Sequence, residues 1–170
     1  MAAEISKKAS DLRAQGSYEA AARLYLQAAE EFEKSGRLAE AAQACNEAGL
    51  LLSEAGKDEE GVKLYLKAIK GYDGLKDSEG KAEASYNACV ALNNMGSYNE
   101  AARHCSVALK IYEELKSDDK TADALYGLGL AYNGLGKLDE ALELFGRALG
   151  MCKKTGNYEG TMSISLDIGN

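Results

Sequence analysis

Apolar residues recur three and four positions apart along most of this chain, as in Ala21, Leu24, Tyr25, Ala28 and Phe32. That spacing gathers them on one face of an α-helix. Breaks interrupt the pattern about every twenty residues: at Gly16, Gly36, Gly56, the stretch from Lys76 to Gly80, Gly96, the stretch from Lys116 to Lys120, Gly136 and Gly156. Glycine, aspartate and serine after an apolar-periodic run stop one helix and cap the next. The pattern predicts nine helices, over approximately 3–15, 18–34, 37–55, 58–75, 79–95, 98–116, 119–135, 138–154 and 157–168. Turns this short pair consecutive helices as antiparallel hairpins.

At an interval of forty residues the hairpins are versions of one another, opened by Gly16, Gly56, Gly96 and Gly136. In the second helix of each, Ala21, Gly61, Ala101 and Ala141 keep one site small. Tyr25, Tyr65, Cys105 and Phe145 make the next mostly large, and Ala28, Ala68, Ala108 and Ala148 are alanine throughout. The first helices carry Ala9, Gly49, Cys89, Gly129 and Gly169, then Leu12, Leu52, Leu92 and Tyr132. Small residues admit close helix crossing and aromatic ones fill the space between hairpins. A glycine inside a helix costs about 1 kcal/mol against alanine, so its recurrence calls for such a packing reason. Repeats of this kind bury their apolar faces only by stacking. Residues 1–170 are therefore read as one domain, with repeats over approximately 3–35, 37–76, 78–116 and 118–155 and a terminal helix over 157–168.

Composition agrees: proline and tryptophan are absent, as suits uninterrupted helices. The formal charge of −7 and pI near 4.9 argue against nucleic acid, which needs clustered Lys or Arg. An acidic surface suits basic protein segments, and it also serves plain solubility. No apolar stretch approaches the roughly 20 residues that span a bilayer, and no secretory leader stands at the start, so membrane insertion is not expected. The expected place of action is the cytoplasm.

Cys45, Cys89, Cys105 and Cys152 lie far apart in sequence, without the close pairs of zinc or redox motifs. Each sits among alanine and leucine, where cysteine behaves as a small buried hydrophobe, and this agrees with a reducing compartment. His104 is the only histidine and takes the place of Leu24, Leu64 and Leu144, which points to packing. No nucleophile and base, phosphate loop or metal-ligand spacing stands out. The chain is read as no enzyme, with no cofactor.

A small residue followed three on by a large one, a Gly-x-[Tyr/Leu] turn, then alanine, an aromatic and alanine at spacings of four and three resembles the tetratricopeptide repeat. The family's common repeat is shorter and typically ends in proline; the forty-residue form is similar to the arrays of kinesin light chains, Pins-type polarity adaptors and soluble attachment proteins. The resemblance implies an all-α, right-handed superhelical solenoid of about four hairpins plus a terminal helix, with first helices lining a concave face.

By register, that resemblance places Gln43, Asn46, Glu47, Leu50, Ser53 and Glu54 in the groove from one repeat. Glu83, Tyr86, Asn87, Val90, Asn93 and Asn94 come from the next, and Asp123, Tyr126, Leu130 and Asn133 from the third. Asparagine amides donate and accept, so a row of them suits the main chain of an extended peptide. Asn93, Asn94 and Asn133 also stand ahead of turn glycines, where asparagine has capping uses. Asn46 and Asn87 lie mid-helix, without that local advantage. Gln43, Glu83 and Asp123 form a second row, joined by Glu47 and Glu54. Such a row either attracts a ligand bearing Lys or Arg or is a solvated helical face.

The expected function is a protein-interaction scaffold or adaptor that binds a partner peptide or helix in its groove. The alternative is a structural assembly module of the vesicle-fusion attachment type, using its outer face or C-terminal end. Met162, Ile164, Leu166 and Ile168 leave the terminal helix apolar. Three readings of that end stand: a cap, a longer array cut short, and self-association through further stacking.

Overall fold

The computed structural model describes residues 2–157 and 160. The described residues form α1 (Ala2–Ala14), α2 (Tyr18–Lys34), α3 (Leu38–Glu54), α4 (Asp58–Leu75), α5 (Ser78–Asn94), α6 (Tyr98–Glu114), α7 (Asp118–Gly134) and α8 (Leu138–Thr155). No end is displaced by more than two residues from its expected position. The expected terminal helix, with Met162, Ile164, Leu166, Ile168 and Gly169, lies outside the described residues except at Asn157 and Gly160. There the Gly160 N–H donates to Asn157 Oδ1 at 2.9 Å, as the Gly80 N–H donates to Asp77 Oδ1 at 3.0 Å at the start of α5. The same side-chain-to-backbone hydrogen bond thus recurs two repeats later.

One turn is used eight times. Gly16, Gly36, Gly56, Lys76, Gly96, Lys116, Gly136 and Gly156 all have left-handed backbone, with φ between 55° and 78°. The next residue's N–H returns to a carbonyl five residues back, as from Arg37 to Phe32 at 2.9 Å and from Asp77 to Tyr72 at 2.9 Å. This double-back satisfies carbonyls that the helix end would otherwise orphan. It also throws the chain back antiparallel, so every helix packs on its predecessor.

Stacking is tightest on one side. α3 packs on α5 and α5 on α7, whereas no two of α2, α4, α6 and α8 pack directly to that extent. The odd-numbered helices from α3 on converge as the inner layer of a superhelical solenoid, and the even-numbered ones splay as its outer layer. The core between them follows the register of the sequence: Ala21, Ala101 and Ala141 are buried, as are Ala28, Ala68, Ala108 and Ala148, with Tyr65, Cys105 and Phe145 between them. The inner-helix glycines are close-packed as expected. A Cβ on Gly49 would lie 2.7 Å from the Tyr65 ring, and one on Gly129 would lie 2.5 Å from that of Phe145.

The cysteines need one correction. All four are buried, and Cys45 and Cys152 are free thiols. Cys89 and Cys105 are not separate: they are joined as a disulfide, their Cα atoms 5.3 Å apart. Each belongs to a series already visible in the sequence, the glycine series and the aromatic series, and those two series meet in every hairpin. His104 is half-buried, and burial, with Arg103 beside it, holds its imidazole below the ordinary value.

Candidate functional site

The inner face is acidic because of which helices make it. α3 carries Glu40, Glu47 and Glu54, α5 carries Glu79 and Glu83, and α7 carries Asp118, Asp119 and Asp123; ion pairs with Arg37, Arg13, Lys120 and Lys154 take up Glu40, Glu54, Glu79 and Asp118, which leaves Glu47, Glu83, Asp119 and Asp123. Gln43, Glu83 and Asp123, one per repeat, are all exposed. Glu47 is half-buried, and burial pushes its carboxyl above the usual range, helped by Glu83 and Glu54 and opposed by Arg13. Asp123, though exposed as a residue, is raised likewise by partial desolvation of its carboxyl and by neighbouring Asp119. Carboxylates held above their ordinary values mark a place where added positive charge is favourable.

Between these groups runs an apolar line of half-buried Leu50, exposed Val90 and half-buried Leu130. The tyrosines form its walls. Burial, with Asp123 nearby, pushes the half-buried Tyr86 phenol up to about 12. The Tyr126 ring rests on Phe145, centroids 5.7 Å apart and planes tilted by 44°. Both are half-buried and pack against the core of the second half of the array.

The asparagines behave differently from one another. Asn46 is buried, 3% exposed; its Nδ2 donates to Glu83 Oε1 at 3.1 Å while its Oδ1 accepts from Asn87 Nδ2 at 3.1 Å. Asn93 is half-buried and donates to the Gly127 carbonyl at 2.9 Å, so it ties α5 to α7. Its Oδ1 is buried without a partner. Asn133 is exposed. Asn46 and Asn93 thus stitch successive inner helices together, Asn87 joins them through its bond to Asn46, and Asn133 stands exposed. The third place of that row, Ser53, accepts from the Tyr65 hydroxyl at 3.4 Å.

Among α1, α2 and α3 lies a pocket of about 220 Å³, lined by Ile5, Tyr25, Phe32, Glu40, Gln43 and Glu47 among others. It combines an apolar floor with a carboxylate rim. Arg37 holds Glu40 below the ordinary carboxylate value through a side-chain hydrogen bond of 2.7 Å. No helix among the described residues is long and apolar enough to cross a membrane.

Two models of the tetratricopeptide repeat match the chain, one over residues 6–76 and one over residues 80–154. The chain belongs to the tetratricopeptide repeat family. Solved structures share its fold at low identity. A putative kinesin light chain from Podosopora anserina with nearly identical TPR-like repeats superposes with a TM-score of 0.82 at 17% identity, over 97% of this chain and 82% of that one. BtubC (BKLC) from P. vanneervenii gives 0.77 at 16%, over 99% and 78%. MamA from Desulfovibrio magneticus RS-1 gives 0.67 at 18%, over 98% and 92%. No curated protein matches this tetratricopeptide chain in sequence.

For a tetratricopeptide array the pocket of the first hairpin was the part of the site that register alone missed. Ile5 contributes to it from α1 and Tyr25 and Phe32 from α2, helices from which no groove residue was expected. The available signal was the aromatic pair Tyr25 and Phe32, seven apart on one face of α2.

Proposed function

We propose that this tetratricopeptide chain is a non-enzymatic scaffold whose inner face takes up an extended or helical segment of a partner protein, one rich in Lys or Arg and carrying spaced apolar residues. The observation that supports this is the pairing on one surface of the Leu50, Val90 and Leu130 line with the row of Gln43, Glu83 and Asp123. The apolar line gives contact area once per repeat. The carboxylates steer a basic segment into place and reject an acidic one. Glu47 and Gln43 continue the surface into the first-hairpin pocket, where a long aliphatic or aromatic side chain fits. Tyr86, Tyr126, Asn87 and Asn133 supply edges and amides for the segment's main chain.

The test is fluorescence anisotropy of a labelled peptide alternating leucine and lysine, with the full chain, at low and high salt. Binding should weaken as salt rises. The charge-reversing triple variant Glu47→Lys, Glu83→Lys, Asp123→Lys should lose about tenfold or more in affinity. Unchanged binding by that variant would refute the proposal.

A further inference from the structure

We propose a second docking site on the opposite, outer layer: the cleft between α2 and α4 takes an amphipathic partner segment that sets a bulky apolar side chain into the cleft and an Asp or Glu against Lys70. The repeat provides its own controls, because the array has three equivalent outer clefts, between α2 and α4, α4 and α6, and α6 and α8.

Two of the three have an ion pair between the helix that floors the cleft and one of its walls. In the α4–α6 cleft Lys81 is paired with Asp73. In the α6–α8 cleft Lys154 Nζ meets Asp118 Oδ2 at 2.6 Å. The positions equivalent to Lys81 and Lys154 in the first cleft hold Ala41 and Gly74, and the position equivalent to Asp118 holds Leu38. Neither bridge can form there. Glu33, in the place of Asp73, pairs across the cleft with Lys67 at 2.8 Å, as Glu113 pairs with Arg147 at 3.1 Å in the third cleft. Gly71 in turn stands where Ile111 and Met151 stand in the other two clefts.

The four departures fall in one place and act in one direction. They make apolar a recess of about 370 Å³, against about 340 and 590 Å³ in the other two clefts: its floor is the buried Ala41, Ala42 and Cys45, and exposed Leu38 and Leu75 flank it. An opening of that size admits a leucine or phenylalanine side chain. At its rim Lys67 is neutralised by Glu33, while Lys70 is exposed and forms no ion pair among the described residues. The recess is therefore locally positive in an acidic chain, and an apolar residue flanked by a carboxylate complements it. The charge preference is opposite to that of the inner face.

The experiment uses the full ¹⁵N-labelled chain and two synthetic helical peptides, one of leucine and glutamate with leucines three and four apart, the other with lysine for glutamate. The leucine–glutamate peptide should shift the amide signals of Ala41, Ala42, Gly71 and Gly74, and the leucine–lysine peptide should leave them in place. Gly74→Glu, which enters open space and reproduces Glu114 of the next cleft, should weaken binding about tenfold or more, as should Lys70→Glu. Glu83→Lys on the inner face should leave it unchanged, which separates this site from the groove. The proposal is overturned if the recess signals do not respond, if both peptides move them equally, or if Gly74→Glu and Lys70→Glu bind like the unaltered chain. It is also overturned if those signals move with protein concentration alone, because the occupant is then a second copy of the chain.

Discussion

Cys89 and Cys105 face each other at the position where Gly49 faces Tyr65 and Gly129 faces Phe145. Two medium side chains thus occupy the space that a glycine and an aromatic ring share in the neighbouring hairpins. The expected result is strong coupling in a double-mutant cycle under reducing conditions. Cys105→Tyr alone overpacks the site and costs about 1–3 kcal/mol, whereas adding Cys89→Gly recovers most of that loss. Urea denaturation of the four proteins measures it, and simple additivity would refute the shared-volume account.

Lys76 and Lys116 hold left-handed backbone at φ 58° and 55°, in the turn position that glycine takes in the other six turns. A Cβ makes that conformation costly, and glycine's greater freedom in the unfolded chain offsets part of the relief. Lys76→Gly and Lys116→Gly should each stabilise by up to about 1 kcal/mol, and Gly56→Lys should cost a similar amount. The shift in urea midpoint at constant slope is the readout.

Helix-interior glycines divide by what stands opposite. Gly49→Ala and Gly129→Ala drive a methyl into the Tyr65 and Phe145 rings and should cost about 1–3 kcal/mol. A side chain at Gly146 meets nothing within 4 Å, so Gly146→Ala should stabilise by about 0.5–1 kcal/mol through helix propensity. Thermal unfolding should place Gly49→Ala and Gly129→Ala below the unaltered chain and Gly146→Ala above it.

The raised carboxyl of Glu47 has a consequence for pH. Because its folded value lies above its unfolded one, the folded state binds more protons across the interval between them. Stability from this group is fully present below the unfolded value and is lost as pH rises through the folded one. Glu47→Gln should flatten that fall, which begins in the ordinary carboxylate range, and should leave the variant more stable than the unaltered chain at neutral pH. Denaturation midpoints from acid to neutral pH check it.

Helix ends were legible in the sequence because every turn repeats one device, so even Lys76 and Lys116 could be placed by register where the residue type gave no glycine. The inner face was legible for the same reason. What register could not supply was who meets whom across helices. The Asn46 amide is taken up by Glu83 and Asn87, partners thirty-seven and forty-one residues away, and a period of forty names equivalents, not contacts. The disulfide was hidden in the same manner: Cys89 and Cys105 were each assigned to a packing series, and only the meeting of the two series joins them. The outer recess was written in the sequence as departures at residues 38, 41, 71 and 74, whose common location needed the fold.

The left-handed residue that closes a turn at each twentieth position also restricts how this chain can change length. One residue inserted into a helix rotates everything beyond it by about 100° about the helix axis, which turns the alanine seam away from its neighbour and leaves the next turn at the wrong angle. Gaining or losing a block of forty residues restores every contact but those at its own junctions. The array can therefore grow or shrink in whole hairpins, and partner segments longer or shorter by one hairpin's span would be met by duplication or deletion of that block.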